Sequence, residues 1–320
     1  MARRMTRQAT PESQSAADVL MIRPVRFAGN PQTSASNRFQ LTMSRAADEV
    51  QVAALREFDA MVGSLREARV NVHVFEDTPD PHTPDSIFPN NWVSFHADGT
   101  VVLYPMLAEN RRLERRPELL NELSARRGFR VAQLIDLTQY EQQSKFLEGT
   151  GSLVLDRTAR IAYACISPRT DLDVLGDFAQ RLDYEIVAFE AFDAAGVPIY
   201  HTNVLMCIGA RFAAICSACI RADERAAVVD ALRTTGHEIV DLSMEQLAAF
   251  AGNMLEMRTS ASGSVVAMSA RAHDSLTAQQ RQTIEARGGP IVATPIPIIE
   301  TLGGGSVRCM LAEIHLPKKK

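Results

Sequence analysis

The chain has 320 residues, 46% of them hydrophobic and 22% charged, with a net charge of −4. That is the composition of a globular protein with a sizeable core, and it excludes a polybasic binder of nucleic acid or of anionic membranes. Its apolar runs are far shorter than the roughly 20 residues a bilayer span needs, so no membrane crossing is expected. The five cysteines, Cys165, Cys207, Cys216, Cys219 and Cys309, lie in apolar segments without a disulfide-framework spacing, which favours a reducing, cytoplasmic setting. Cys216 and Cys219 form a CxxC pair, but no second pair or histidine pair completes a metal set, and they read as core packing.

Residues 1–18 are basic, then rich in Ser, Gln and Ala, and lack the apolar core of a secretory signal; they read as a flexible tail. The pattern then predicts a strand over 19–22, a helix over 46–68 and a strand over 70–75. The stretch DSIFPNN, 85–91, opens onto an apolar strand, and the turn at 97–100 leads into a second strand over 101–104. A charged segment, 107–127, has helical composition and is stopped by Gly128, with a strand over 129–137. The same order follows with strands over 152–155 and 161–166, a helix over 171–182 and a strand over 185–189. It recurs with 204–208, 212–217, 222–234 and 238–242, where Ser243 is placed to cap an extra short helix. It recurs again with 254–257, 264–268, 275–286 and 290–298.

Five polar or glycine-rich motifs open these units. Taking Asn91, Gly149, Asn203, Asn253 and Gly304 as anchors, the intervals are 58, 54, 50 and 51 residues, the length of a whole supersecondary unit. Each unit reads strand, strand, helix, strand. The fifth, beginning at Gly304, stops before its helix, and the segment 19–75 supplies the missing parts. Five units joined through the termini predict a closed ring, an α/β fold with fivefold ββαβ pseudosymmetry, in which the motifs converge at one end of their strands. Residues 19–317 would form this single domain and 318–320 a basic tail.

The convergent set contains Glu148, His201 and Cys309, surrounded by Asp85, Asn90, Asn91 and Asn203. A cysteine nucleophile needs thiolate character, a histidine can act as its acid and base, and a carboxylate can orient that histidine. The glycines ahead of Cys309 allow close approach of backbone to a ligand. For the carboxylate of an amino-acid substrate, Arg258 is a possible holder, whereas Arg308 is expected to face away from Cys309. The turn-rich segments 82–85 and 29–44 are the expected lids. No phosphate loop, dinucleotide fingerprint or metal-ligand set is present, so no cofactor is expected.

FLEGTG, HTN and the terminal GGGSVRC, in this order and at this spacing, resemble the guanidino-group-modifying (pentein) superfamily, whose fivefold α/β propeller includes arginine deiminases, dimethylarginine hydrolases and amidinotransferases. The DSIFPNN stretch is similar to the DSVF-x-ED segment of the dimethylarginine hydrolases, and the likeness runs over about residues 19–317. It implies that Cys309 is a nucleophile attacking the central carbon of a guanidinium or related group, with His201 as acid and base, Glu148 as the orienting carboxylate and Asp85 as a substrate-loop aspartate.

Two departures bear on the substrate: Asn203 stands where arginine deiminases carry Asp, and Asn90 and Asn91 replace a Glu-Asp pair. A buried cation without an acidic partner is costly, whereas an amide suits a neutral ureido group, which points to citrulline and to the citrulline-utilisation branch of the superfamily. Ornithine would be the product of a covalent cysteine intermediate. Amidino transfer, arginine or dimethylarginine hydrolysis, and a noncatalytic binding propeller are the alternatives. A small amino acid is the expected partner, neither nucleic acid nor membrane is, and the ring is also suited to a homodimer.

Overall fold

The computed structural model describes residues 12–319. Among these, fifteen strands form five three-stranded sheets of one design. The strands are β1 (Asp18–Arg23), β2 (Asn71–Glu76), β3 (Val93–Phe95), β4 (Thr100–Leu103), β5 (Gln133–Asp136), β6 (Val154–Asp156), β7 (Ile161–Cys165), β8 (Glu185–Phe189), β9 (Met206–Ile208), β10 (Phe212–Ile215), β11 (Glu238–Asp241), β12 (Leu255–Arg258), β13 (Ser264–Ser269), β14 (Ile291–Thr294) and β15 (Ala312–Ile314). In every sheet the middle strand pairs antiparallel with one neighbour and parallel with the other, as β4 does with β3 and β5. The same pattern holds around β7, β10 and β13. The fifth sheet is assembled from both ends of the chain, β15 running antiparallel to β1 with Ile314 opposite Asp18, and β2 parallel on the other side. No sheet closes on itself; each is an open mixed sheet.

A parallel pair needs a crossover, and in each unit a helix supplies it. These are Ala47–Glu67, Pro117–Ala125, Leu172–Leu182, Arg225–Thr234 and Ala278–Gly288. Ala47–Glu67 buries Val50, Ala54, Phe58, Met61, Val62 and Leu65, the i, i+4, i+8 face that a 3.6-residue period dictates. Ser243 caps the helix Met244–Ala248 through a reciprocal capping box with Gln246, as its spacing predicts.

The differences from expectation have local causes. The segment 107–127 is two helices, Glu109–Arg112 and Pro117–Ala125, because Arg116 is extended ahead of Pro117. The expected strand over 290–298 ends at Thr294, since Pro297 starts the helix Pro297–Gly303; Gly304 ends that helix at φ 63° and opens no strand. Short helical turns, Pro89–Asn91, Gly149–Ser152, Thr202–Leu205 and Val307–Met310, precede four of the first strands, which therefore begin later than predicted.

Residues 1–11 of the expected tail lie outside the described residues. Residues 12–17 are anchored. Gln14 donates to the carbonyls of Leu155 and Ile208, and Glu12 pairs with Arg157 at 2.7 Å with both side chains buried. At the other end Lys318 forms an ion pair with Asp18 and its ammonium lies over the Phe129 ring. No helix of the described residues is long and apolar enough to cross a membrane.

Candidate active site

Helical turns aim successive side chains about 100° apart where a strand would alternate them, so the turns at the strand starts bring polar groups from four units together. Cys309 lies on the turn Val307–Met310, 3% exposed. Its sulfur is 3.4 Å from Nδ2 of Asn203 and 3.3 Å from Nδ2 of Asn253. His201, immediately before Thr202–Leu205, points Nε2 at Oε2 of Glu148, 2.8 Å away. Glu148, in turn, accepts the Leu107 amide at Oε1 and Nη1 of Arg169 at Oε2, with Arg111 Nη1 at 3.9 Å. Cys309, His201, Asp85, Asn91, Arg111 and Arg169 line one cavity.

Burial opposes ionisation of Glu148, but Arg169, then His201 and Arg111, together hold its carboxyl well below the usual carboxylate range. Burial lowers His201 to about 4 despite the opposing pull of Glu148, so at neutral pH the ring is neutral and its Nε2 hydrogen is committed to the carboxylate. Its other nitrogen, Nδ1, faces Gly151. A Cβ on Gly151 would stand 2.7 Å from Nδ1 and 2.3 Å from Nδ2 of Asn91, so only glycine lets these groups meet. The unfolded chain binds a proton at His201 near pH 6.5 and the folded chain refuses it until about 4. Stability from this site is therefore full above pH 6.5 and lost as pH falls through that window. Between pH 7 and 4 the wild type should lose about 3 kcal/mol more than His201→Asn, measured by urea unfolding.

The structure places the other expected residues unequally. Asp85 is buried, with Oδ2 accepting from Asn30 and Oδ1 unpartnered; burial raises its carboxyl, against Arg111 and Asn30. Asn91 accepts from Arg111 Nη1 at Oδ1 (2.9 Å), which locks the amide and leaves its buried Nδ2 without a partner. Asn90 is fully buried beside this site, with both amide atoms unpartnered. Arg258 does not belong. It is exposed at the end of β12 and donates to the Ser15 carbonyl, away from the cavity. Arg308 is turned away too, pairing with Glu313.

Two other guanidinium groups, Arg111 and Arg169, line the cavity. Arg111 is buried in a bidentate pair with Glu114, and Arg169 binds Thr33 O and Ser36 Oγ while stacking over the Tyr200 ring at 5.0 Å. Nothing in the sequence marks them, since a buried and a solvated arginine read alike. Asn253 was legible as a repeat anchor although its contact with the sulfur was not. Both segments expected as lids reach the cavity wall, 29–44 through Thr33 and Asn37 and 82–85 through Asp85; Asn37 Nδ2 donates to the Gly304 carbonyl, which also accepts from Tyr200 OH. The Gly304 position is αL, and a Cβ there would fall 2.5 Å from Asn37 Nδ2.

The fold is similar to the N-terminal domain of ArgZ in a substrate-bound mutant, an arginine dihydrolase of the ornithine-ammonia cycle in cyanobacteria, at TM-score 0.70 and 18% identity over 93% of this chain and 99% of that one. Unliganded AgrE matches at TM-score 0.72 and 17% identity, over 95% of this chain and 40% of that one, so the chain spans about two-fifths of that longer protein. A dimethylarginine dimethylaminohydrolase mutant, as an adduct with S-methyl-L-thiocitrulline, matches at 0.61 and 14% identity over 93% and 99% of the two chains. At these identities the likeness concerns the fold. No curated protein matches the chain. The family model for N,N dimethylarginine dimethylhydrolase, eukaryotic, matches residues 23–316. A match over nearly the whole described chain makes this protein a member of that family, within the pentein superfamily of guanidino-modifying enzymes.

Proposed function

We propose that the protein is a cysteine-dependent hydrolase of the ureido carbon of citrulline, releasing ornithine, and that its five sheets are the blades of a closed propeller around the meeting point of these side chains. The observation that carries the substrate choice is the locked Asn91 amide. Its Oδ1 is occupied by Arg111, and its free N–H group points at the space beside His201. A guanidinium offers only donors and would meet this group as like against like; a ureido oxygen accepts from it.

In the proposed course His201, neutral at rest, accepts the Cys309 thiol proton at Nδ1, and the resulting thiolate attacks the ureido carbon. The bond from that carbon to the δ-nitrogen breaks as His201 delivers a proton to the leaving amine, giving ornithine and a carbamoyl thioester on Cys309. Water, deprotonated by His201, attacks the thioester carbon and expels the thiolate, leaving carbamate, which decays to ammonia and carbon dioxide. Arg169 is the proposed holder of the substrate carboxylate, exchanging its bonds to Thr33 O and Ser36 Oγ for carboxylate oxygens.

Product analysis tests this reading. The wild type should form ornithine from citrulline and far less product from arginine or dimethylarginine. Asn91→Asp should lose citrulline kcat/KM by about 10- to 100-fold while gaining on arginine, because a carboxylate replaces the ureido donor. Turnover of arginine by the wild type at a higher kcat/KM than citrulline would overturn the substrate choice and favour the arginine-type reading, for which the unpartnered Oδ1 of Asp85 is the available acceptor.

A further inference from the structure

We infer that Asn253 is a further catalytic residue, an N–H donor built to hold the sulfur of Cys309 as thiolate; the inference rests on reading Cys309 as the nucleophile. Asn253 is fully buried just ahead of β12, the place in its unit that Asn203 holds ahead of β9 and Cys309 ahead of β15. Its amide orientation is fixed from both sides. Oδ1 accepts the backbone N–H of Arg308 at 3.0 Å, and Nδ2 donates to the carbonyl of Asn203 at 2.8 Å. Turning the amide over would set oxygen against carbonyl and N–H against N–H, so the group 3.3 Å from the sulfur is a donor. Asn203 Nδ2, at 3.4 Å, adds a second.

A buried sulfur has little water to stabilise negative charge, and donors fixed in place stabilise it without reorganising. The Arg308 amide contact also ties Asn253 to the turn that carries the nucleophile, so one side chain sets both the position and the charge of the sulfur. The charged and titratable groups lining the cavity with Cys309 are Asp85, Arg111, Arg169, Tyr200 and His201, with Glu148 behind His201 and Arg169, and the Asn253 side chain is hydrogen-bonded to none of them.

Alkylation of Cys309 by iodoacetamide, followed by peptide mass spectrometry, reports thiolate without any substrate. In Asn253→Asp an acceptor replaces the donor at the sulfur while the bond from Arg308 N–H is kept. Its alkylation rate at pH 7 should fall at least about tenfold, the rates converging with wild type as pH is raised; Asn253→Ser should fall less. A rate within twofold of wild type, or an equal deficit at every pH, would overturn the inference, since loss of access or shape does not depend on pH. In the unsubstituted protein, which needs no variant to fold, the Asn253 side-chain amide proton should move downfield as the thiol ionises. An unmoved resonance overturns it as well. Wild type that alkylates at Cys309 in this Asn253-dependent way yet hydrolyses no citrulline would count against the proposed substrate and leave the donor role standing.

Discussion

Cys309→Ser should keep the fold and lose citrulline hydrolysis by at least about 10³-fold, because a hydroxyl in place of the thiol has no anion for the two asparagine donors to hold. Folding should survive, since the change is nearly isosteric and the turn is fixed by backbone bonds, Cys309 N–H to Ser306 O and Arg308 N–H to Asn253 Oδ1. Circular dichroism and the urea midpoint check the fold, and ornithine release checks the chemistry. The complementary experiment looks for the intermediate directly, since His201 serves both halves of the reaction and its removal would stall the first. With wild type stopped by acid during citrulline turnover, intact-protein mass spectrometry should find one added carbamoyl group, mapped to Cys309. An added amidino group would redirect the reading to guanidinium chemistry, and a variant retaining wild-type turnover without the thiol would remove the covalent course altogether.

Glu148→Gln should be nearly as damaging and should differ in kind. The carboxylate orients His201 and is the shared counter-charge of Arg169 and Arg111. A glutamine can present its N–H to the ring and thereby select the wrong tautomer. The expected fall in kcat is about 10² to 10⁴, comparable to the loss when the orienting carboxylate of a catalytic triad is made an amide. It also strips a buried charge from two guanidinium groups, so unfolding free energy should fall by about 3 to 5 kcal/mol. The pH dependence separates this from a packing defect. Glu148 has its folded-state titration pushed below its ordinary value of 4.5, so its stabilisation is present above pH 4.5 and lost as pH falls through the folded value. The gap between wild type and variant should therefore be full at pH 7 and shrink below pH 4.5; a gap constant with pH would assign the loss to shape.

The organisation of the fold was legible because five copies make a weak motif strong. Glu148, His201, Asn203 and Cys309 could be grouped from their common place at the strand starts, and the structure does bring them together. What escaped had physical reasons. VLMCI at 204–208 is apolar throughout, and periodicity cannot tell a helical turn leading into a strand from a longer strand. Arg111 and Arg169 were missed because their placement depends on partners distant in sequence: Asp85 and Asn91 for Arg111, beside its near neighbour Glu114, and Thr33, Ser36 and Tyr200 for Arg169. Arg258 was assigned to the site on proximity to a motif, but the register that pairs it with Ser264 sets it at the outer end of its strand.

The pairing of β15 with β1 has a consequence for how the enzyme comes into being. Strand β1 is made long before β15, with the other four sheets between them in sequence, so this contact closes a very long loop, the kind that folds late. Until β15 arrives, β1 presents an unpaired edge beside apolar Val19 and Met21, and the turn bearing the thiol has no sheet to follow it. During synthesis the other four units can mature first. The sulfur proposed as nucleophile would thus reach its place only when this sheet is completed, and a chain shortened before residue 312 should be both inactive and prone to strand-edge aggregation.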